Sequence, residues 1–448
     1  MVYKVKEKRG DKINFLITLA VLITFCLGSG FSSFSQIITT EKYEIDSLKV
    51  KIPKVKPTGF IENILFKLSS KRRITEKYFI YYKKDKGNFD TLYNSNNDSL
   101  KIDTDLLKTN TYSESYQNFQ MMQYASDKAF TEEEWDKIQT IKIIPQKEKN
   151  YALTHMVYGF HPYWQGRSYL SYNYALLSRI AYFSYNINPQ TGSPLSIGNW
   201  NTTAMIDSAH QHNCYVDLCA TNFGIQSNDE FLSNLEAQSN FNHEIISYLR
   251  LRHGDGVNIN FENIPKNKRI EFTNFIINLK LALSNADPYY KLSLTIPALD
   301  YLGIYNIPEL VNYVDYFIMM GYDFYGKTSS IAGPNSLIFG GNIWSQNNID
   351  FAINYYLNEG IPNEKFILAL SYYGKEWATT DNSIPSKALA YINTYTYAEI
   401  ANKYSTKYIS YLDTISFSSF ISYNDNGIWK QCWFDDEYSL RYKYDYVK

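Results

Sequence analysis

From residue 155 onward the chain alternates two textures. Short apolar runs at 156–160, 179–185, 215–220, 256–261, 291–296, 316–321 and 366–372 are separated by stretches with helical patterning, among them 240–252, 269–284 and 349–359. In 269–284 the residues Ile270, Phe272, Phe275, Ile276, Leu279 and Leu283 recur at the spacing of one helix face. Strands alternating with helices predict an α/β fold with a parallel sheet under a helical cover. Seven such strands point to a (β/α)8 TIM barrel. The chain stops at Lys448, directly after the helix-like stretch 437–447, so the eighth strand is expected to be missing from it. Two strand edges would then be exposed.

Residues 36–150 read differently. Basic and polar runs alternate with short apolar stretches such as 78–82, and 94–99 is a turn built from Asn, Ser and Asp. Thr131 stands three residues before Glu134, the spacing of a capping box at a helix start. A small N-terminal α+β region or an ordered spacer is expected here, with the barrel over 151–448. Before it, Lys4, Lys6, Lys8, Arg9 and Lys12 precede an apolar run at 13–31, which leads to Ser33, Phe34, Ser35 and Gln36. Those are the parts of a signal peptide over 1–35, cleaved near Ser35, which predicts a secreted or cell-envelope protein. An uncleaved anchor is the alternative, because the run is long enough to span a bilayer.

Composition narrows the function. With 448 residues, 45% of them hydrophobic, the chain has ample material for a core. The 44 Lys and Arg balance 45 Asp and Glu, so no field of one sign attracts nucleic acid or an acidic membrane. Without the leader only Cys214, Cys219 and Cys432 remain, too few for a disulfide framework. His210, His212 and Cys214 have no matching ligand cluster elsewhere and read as a helix end running into a strand, so no metal is expected.

The fourth strand carries the candidate chemistry: Asp255, Gly256, Val257, Asn258, Ile259, Asn260, Phe261, Glu262. Side chains alternate along a strand, so Val257, Ile259 and Phe261 face the helices while Asn258, Asn260 and Glu262 face the barrel interior. Polar groups there need partners or a task. A carboxylate at the C-terminal end of a barrel strand stands where such folds place catalysis.

This strand resembles the signature of glycoside hydrolase family 18, the chitinase family, which reads Asp-Gly-x-Asp-x-Asp-x-Glu. Asp255, Gly256 and Glu262 match; Asn258 and Asn260 stand where the family has Asp. Other segments agree in order: 159–164 resembles the first strand and its exit, and Met320, Gly321, Tyr322 and Asp323 resemble the end of the sixth. Likewise 368–374 resembles the seventh strand, and 433–440 the approach to the last. Thr221, Asn222, Phe223 and Gly224 depart from the Ser-x-Gly-Gly of chitinases and look closer to the bacterial spore-cortex and cell-wall hydrolases.

The resemblance implies a substrate-assisted retaining glycosidase acting on β-1,4-linked N-acetylglucosamine glycans, chitin or peptidoglycan, without cofactor. Glu262 matches the acid, Tyr322 the residue that hydrogen-bonds the acetamido group, and Asp323 a sugar contact at the cleavage subsite. Asn260 stands where an Asp accepts the acetamido N–H and offsets developing positive charge. It can still accept through Oδ1 but is neutral, a loss of ~10²–10³ in rate for a charge aimed at a transition state. Asn258, Asp255 and Met320 are expected to contribute to substrate binding. Trp164, Trp200, Trp344 and Trp377, in or near loops after strands, are read either as stacking on sugar faces or as plain packing, with Trp344 and Trp377 the better candidates for sugar contact. A weak or inactive glycan-binding protein is the alternative function, a scaffold held by an uncleaved leader a third. A monomer is expected.

Overall fold

The computed structural model describes residues 130–139, 153–404 and 407–448, together with five short N-terminal strands. The leader expected at 1–35, and most of 36–150, lie outside the described residues. The chain divides into two compact units, Met1–Lys108 and Thr109–Lys448. In the first, β1 (Ile37–Thr40), β2 (Leu65–Phe66), β3 (Tyr78–Asp85), β4 (Asn88–Tyr93) and β5 (Ser99–Leu100) form one sheet in the order β2-β1-β3-β4-β5.

Among the described residues of the second unit the first element is α1 (Glu132–Gln139), whose start carries the expected capping box. Thr131 N donates to Glu134 Oε2 at 2.7 Å and Glu134 N to Thr131 Oγ1 at 3.3 Å. The helix is no part of a separate N-terminal region. Its Trp135 is buried against Phe130 and Tyr163, in the same core as the strands that follow.

Seven parallel strands follow: β6 (Tyr158–Pro162), β7 (Arg179–Ile187), β9 (Tyr215–Phe223), β10 (Gly256–Glu262), β11 (Lys291–Pro297), β12 (Tyr316–Met320) and β14 (Phe366–Ala369). They lie side by side in sequence order, with the short β8 (Pro194–Ser196) antiparallel to β7. The crossover helices are α2 (Met205–Gln211), α3 (Ile225–Ser233), α4 (Leu235–Arg252), α5 (Arg269–Ala286), α6 (Ile307–Leu310) and α7 (Ile349–Glu359). Among the described residues the end strands β6 and β14 have no further partner, so the curled sheet stays open between them. The openness shows in burial: every residue of β14 is only half-buried, and Phe160 on β6 is 37% exposed.

The alternation read in the fourth strand holds. Phe261 on the outer face meets Phe231 of α3 and Phe275 of α5 at ring-centroid distances of 5.8 and 5.5 Å. Each such buried ring contributes roughly 1.5–3 kcal/mol, and together they fix the helices on the sheet.

The local sequence pattern did not reveal a second sheet. Between β12 and the C-terminal helix, β13 (Ile331–Ala332), β15 (Tyr373–Thr379), β16 (Ser386–Thr396), β17 (Tyr411–Asp413), β18 (Ser418–Asp425) and β19 (Ile428–Phe434) form an antiparallel sheet in the order β13-β16-β15-β19-β18-β17. It has cores of its own, one of them containing Trp344, Trp377 and Trp433. The last two helices are α8 (Tyr397–Tyr404) and α9 (Glu437–Val447). The second starts with a capping box between Asp436 and Ser439 and buries Lys443 against Asp435.

Candidate active site

The inner face of the sheet is built in polar layers. Near the N-terminal ends, Arg179 on β7 pairs with Asp217 on β9, both buried, and Tyr158 Oη donates to Asp217 Oδ2 at 2.7 Å. One layer up, Asn258 is fully buried. Its Nδ2 donates to Ser293 Oγ at 3.0 Å and contacts Thr295 Oγ1 at 3.3 Å, while Cys219 Sγ donates to its Oδ1 at 3.1 Å. The next polar residue along the strand is Asn260, 8% exposed and aligned with Thr221 on β9. Its Oδ1 is buried with no hydrogen-bond partner among the described residues. Glu262 closes the strand beside Phe223, half-buried, and Asn263 then turns the chain away at φ 62°.

From the neighbouring strands, Met320 ends β12 and Tyr322 and Asp323 follow it. The Tyr322 phenol is pushed well above its ordinary range, first by burial and then by the negative charges of Asp323 and Glu262. It therefore stays protonated and available as a donor. Asp323 adopts φ 64° and accepts from Lys375 Nζ at 2.7 Å and from the Tyr373 hydroxyl. The strand ends thus bring together a carboxylate, an unsatisfied amide oxygen, a protonated phenol and an ion-paired carboxylate.

Several expected contacts fall elsewhere. Asp255 precedes β10 at its N-terminal end, seven residues and roughly 20 Å from Glu262 at about 3.3 Å per strand residue. It accepts from Val216 N at 2.6 Å and meets His210 Nε2 at 2.8 Å, so it ties the far ends of the strands rather than a substrate. Asn258 is closed in by its partners and cannot touch a sugar. Trp344 and Trp377 are buried in the antiparallel sheet's core, where Trp344 Nε1 donates to Asp413 Oδ2 at 2.7 Å and Trp377 Nε1 to Gly326 O at 3.3 Å. Trp200 is buried as well, its Nε1 donating to Tyr248 O at 3.1 Å. Trp164 does sit just past the C-terminal end of β6, but it is buried edge-on against Tyr163 and Phe183.

The sequence reading missed Tyr373 and Lys375, whose contacts to Asp323 are not implied by sequence spacing. Among the described residues no group of three or more His, Cys, Asp or Glu is arranged to hold a metal. No described helix is long and apolar enough to cross a membrane.

The description "Glycosyl hydrolases family 18" matches residues 120–448. The chain belongs to glycoside hydrolase family 18. Sporulation-specific chitinase 2 of Saccharomyces cerevisiae is 30% identical over 142 residues, 29% of this chain and 27% of the relative. The uncharacterized glycosylase YvbX of Bacillus subtilis is 25% identical over 162 residues, 34% of this chain and 43% of the relative. A family 18 chitinase of Cycas revoluta in complex with (GlcNAc)3 shares the fold at a TM-score of 0.58 and 19% identity, covering 65% of this chain and 90% of that one. The matches span 25%, 27% and 38% of the length of the first three curated relatives.

Proposed function

We propose that this family 18 protein hydrolyses β-1,4 bonds in N-acetylglucosamine-containing glycans, chitin or peptidoglycan, by substrate-assisted retaining catalysis. The observation that carries the reading is the buried, unsatisfied Oδ1 of Asn260 two residues before Glu262. A buried acceptor left without a donor costs about 1–3 kcal/mol, and an acetamido N–H supplies that donor. The sugar ring then sits with its glycosidic oxygen over Glu262.

Glu262 gives its proton to the leaving oxygen while the acetamido oxygen attacks the anomeric carbon. The C–O bond breaks and an oxazolinium intermediate forms. Tyr322, protonated, donates to the acetamido oxygen. Asp323, oriented by Lys375 and Tyr373, accepts from a sugar hydroxyl. Water, deprotonated by the Glu262 carboxylate, then opens the oxazolinium ring. Asn258 stays below the sugar and supports the strand.

Analysis of a tetramer of N-acetylglucosamine by proton NMR tests this. The first-formed reducing end should be the β-anomer; an α-anomer overturns the mechanism. The same reading takes residues 1–35 as an export leader, so the mature chain should begin at Gln36 by mass analysis, and a mature chain that keeps Met1 overturns export by cleavage. A glycan-binding protein with little turnover is the second reading, favoured by the neutrality of both Asn258 and Asn260 on the inner face.

A further inference from the structure

Asn228 lies one turn into α3, the helix that follows the departing segment Thr221 to Gly224, and it is fully buried. Its Nδ2 lies 2.7 Å from the backbone oxygen of Glu262, 3.0 Å from that of Gly224 and 3.3 Å from that of Asn222. The Gly224 N–H donates to the same Glu262 oxygen at 3.0 Å. Two donors therefore converge on the main chain of the residue whose side chain is the proposed acid.

They meet it where the sheet runs out. The β9–β10 pairing ends with Glu262 opposite Phe223, and Asn263 leaves at positive φ. The turn that carries the donors is itself braced. Asn222 Oδ1 accepts from the Ser227 hydroxyl, and Asn222 Nδ2 donates to Ser227 O at 3.2 Å. Gly224 holds φ 97°, a conformation that residues with a Cβ rarely adopt. Asn228 Oδ1 has no partner among the described residues, so this amide is oriented by its donor side alone.

We propose that Asn228 is a positioning residue for Glu262. It pins the last peptide of β10 and so fixes the angle at which the carboxyl enters the sheet interior. The inference rests on Glu262 being the acid. Losing the clamp lets the strand end fray, and a displacement of about 1 Å in a reacting group costs ~10² in rate.

The test is steady-state turnover of a fluorogenic N-acetylglucosamine oligosaccharide by the full chain and by Asn228→Ala, Ser227→Ala and Glu262→Gln, each normalised to its folded fraction. Asn228→Ala should lower kcat by about 10–100-fold, leave KM within about twofold and displace the alkaline limb of the pH profile, which reports loss of the Glu262 proton. Ser227→Ala, which only loosens the brace, should lower kcat by a smaller factor in the same direction. Should Asn228→Ala fail to fold, the Ser227→Ala result decides. An unchanged kcat in the folded variants, or a loss confined to KM, overturns the proposal. Turnover that survives Glu262→Gln overturns the underlying reading instead.

Discussion

Lys375 on β15 places its ammonium 2.7 Å from Asp323, the residue that follows Tyr322 past the end of β12. The bond crosses from the antiparallel sheet to the strand ends of the parallel one and joins the two architectures at the site. Lys375 is 3% exposed and also donates to Tyr325 O at 3.2 Å, while Asp323 keeps 23% of its side chain in solvent. The ammonium thus orients a carboxylate that still has a free face.

Replacing Lys375 with Met leaves Asp323 partly buried without its counter-charge. Stability should fall by about 3 kcal/mol, the lower end for a broken buried pair because Asp323 is partly hydrated. Turnover should fall by about tenfold or more. Urea denaturation and initial rates check both; unchanged values in each remove Lys375 from the site.

Asn260→Asp restores a negative charge beside the sugar's developing positive charge. Turnover should rise, by up to ~10² if the full electrostatic contribution is recovered. Sugar affinity that changes while turnover stays at zero would favour the binding reading.

The His210–Asp255 contact makes stability depend on pH. His210 is raised above its ordinary value, chiefly by its hydrogen bond to Asp255, with burial opposing. A raised pKa in the folded state adds stability below the unfolded value of about 6.5. That contribution is lost as pH rises through the higher folded value. The Tm difference between the protein and His210→Gln should therefore be largest near pH 5.5 and shrink by pH 9. A difference independent of pH contradicts the assignment.

Trp344→Ala and Trp377→Ala should each cost about 3–5 kcal/mol as cavities in a closed core. KM for a soluble oligosaccharide should stay within about twofold in the folded protein. A large rise in KM without loss of stability would restore them as sugar contacts.

Much of this was legible in the sequence, for identifiable reasons. The strands of the parallel sheet announce themselves because each is short, apolar and followed by a helical period. The parity of 256–262 places Glu262 inward on local grounds alone. Asp255 was misassigned because it belongs to the same motif: a motif gives residues in a row, and only the strand's rise per residue separates its ends. The antiparallel sheet was hidden because β16 alternates too weakly, with Leu389 and Ile392 on an exposed surface. The tryptophans misled because a position between strands of one sheet is also a core position of another. Asn228 carries no sequence signal, since its partners are backbone atoms brought near by the β9–β10 pairing.

The central claim is that Glu262 is the acid of a working glycosidase. The most direct measurement is release of fluorophore from a fluorogenic N-acetylglucosamine oligosaccharide by this protein and by Glu262→Gln at equal folded concentration. The account predicts turnover that falls by about 10³ or more in the variant, as expected when a group acting at the reaction centre is removed. Equal turnover in the two proteins, or none in either with sugar still bound, would contradict it.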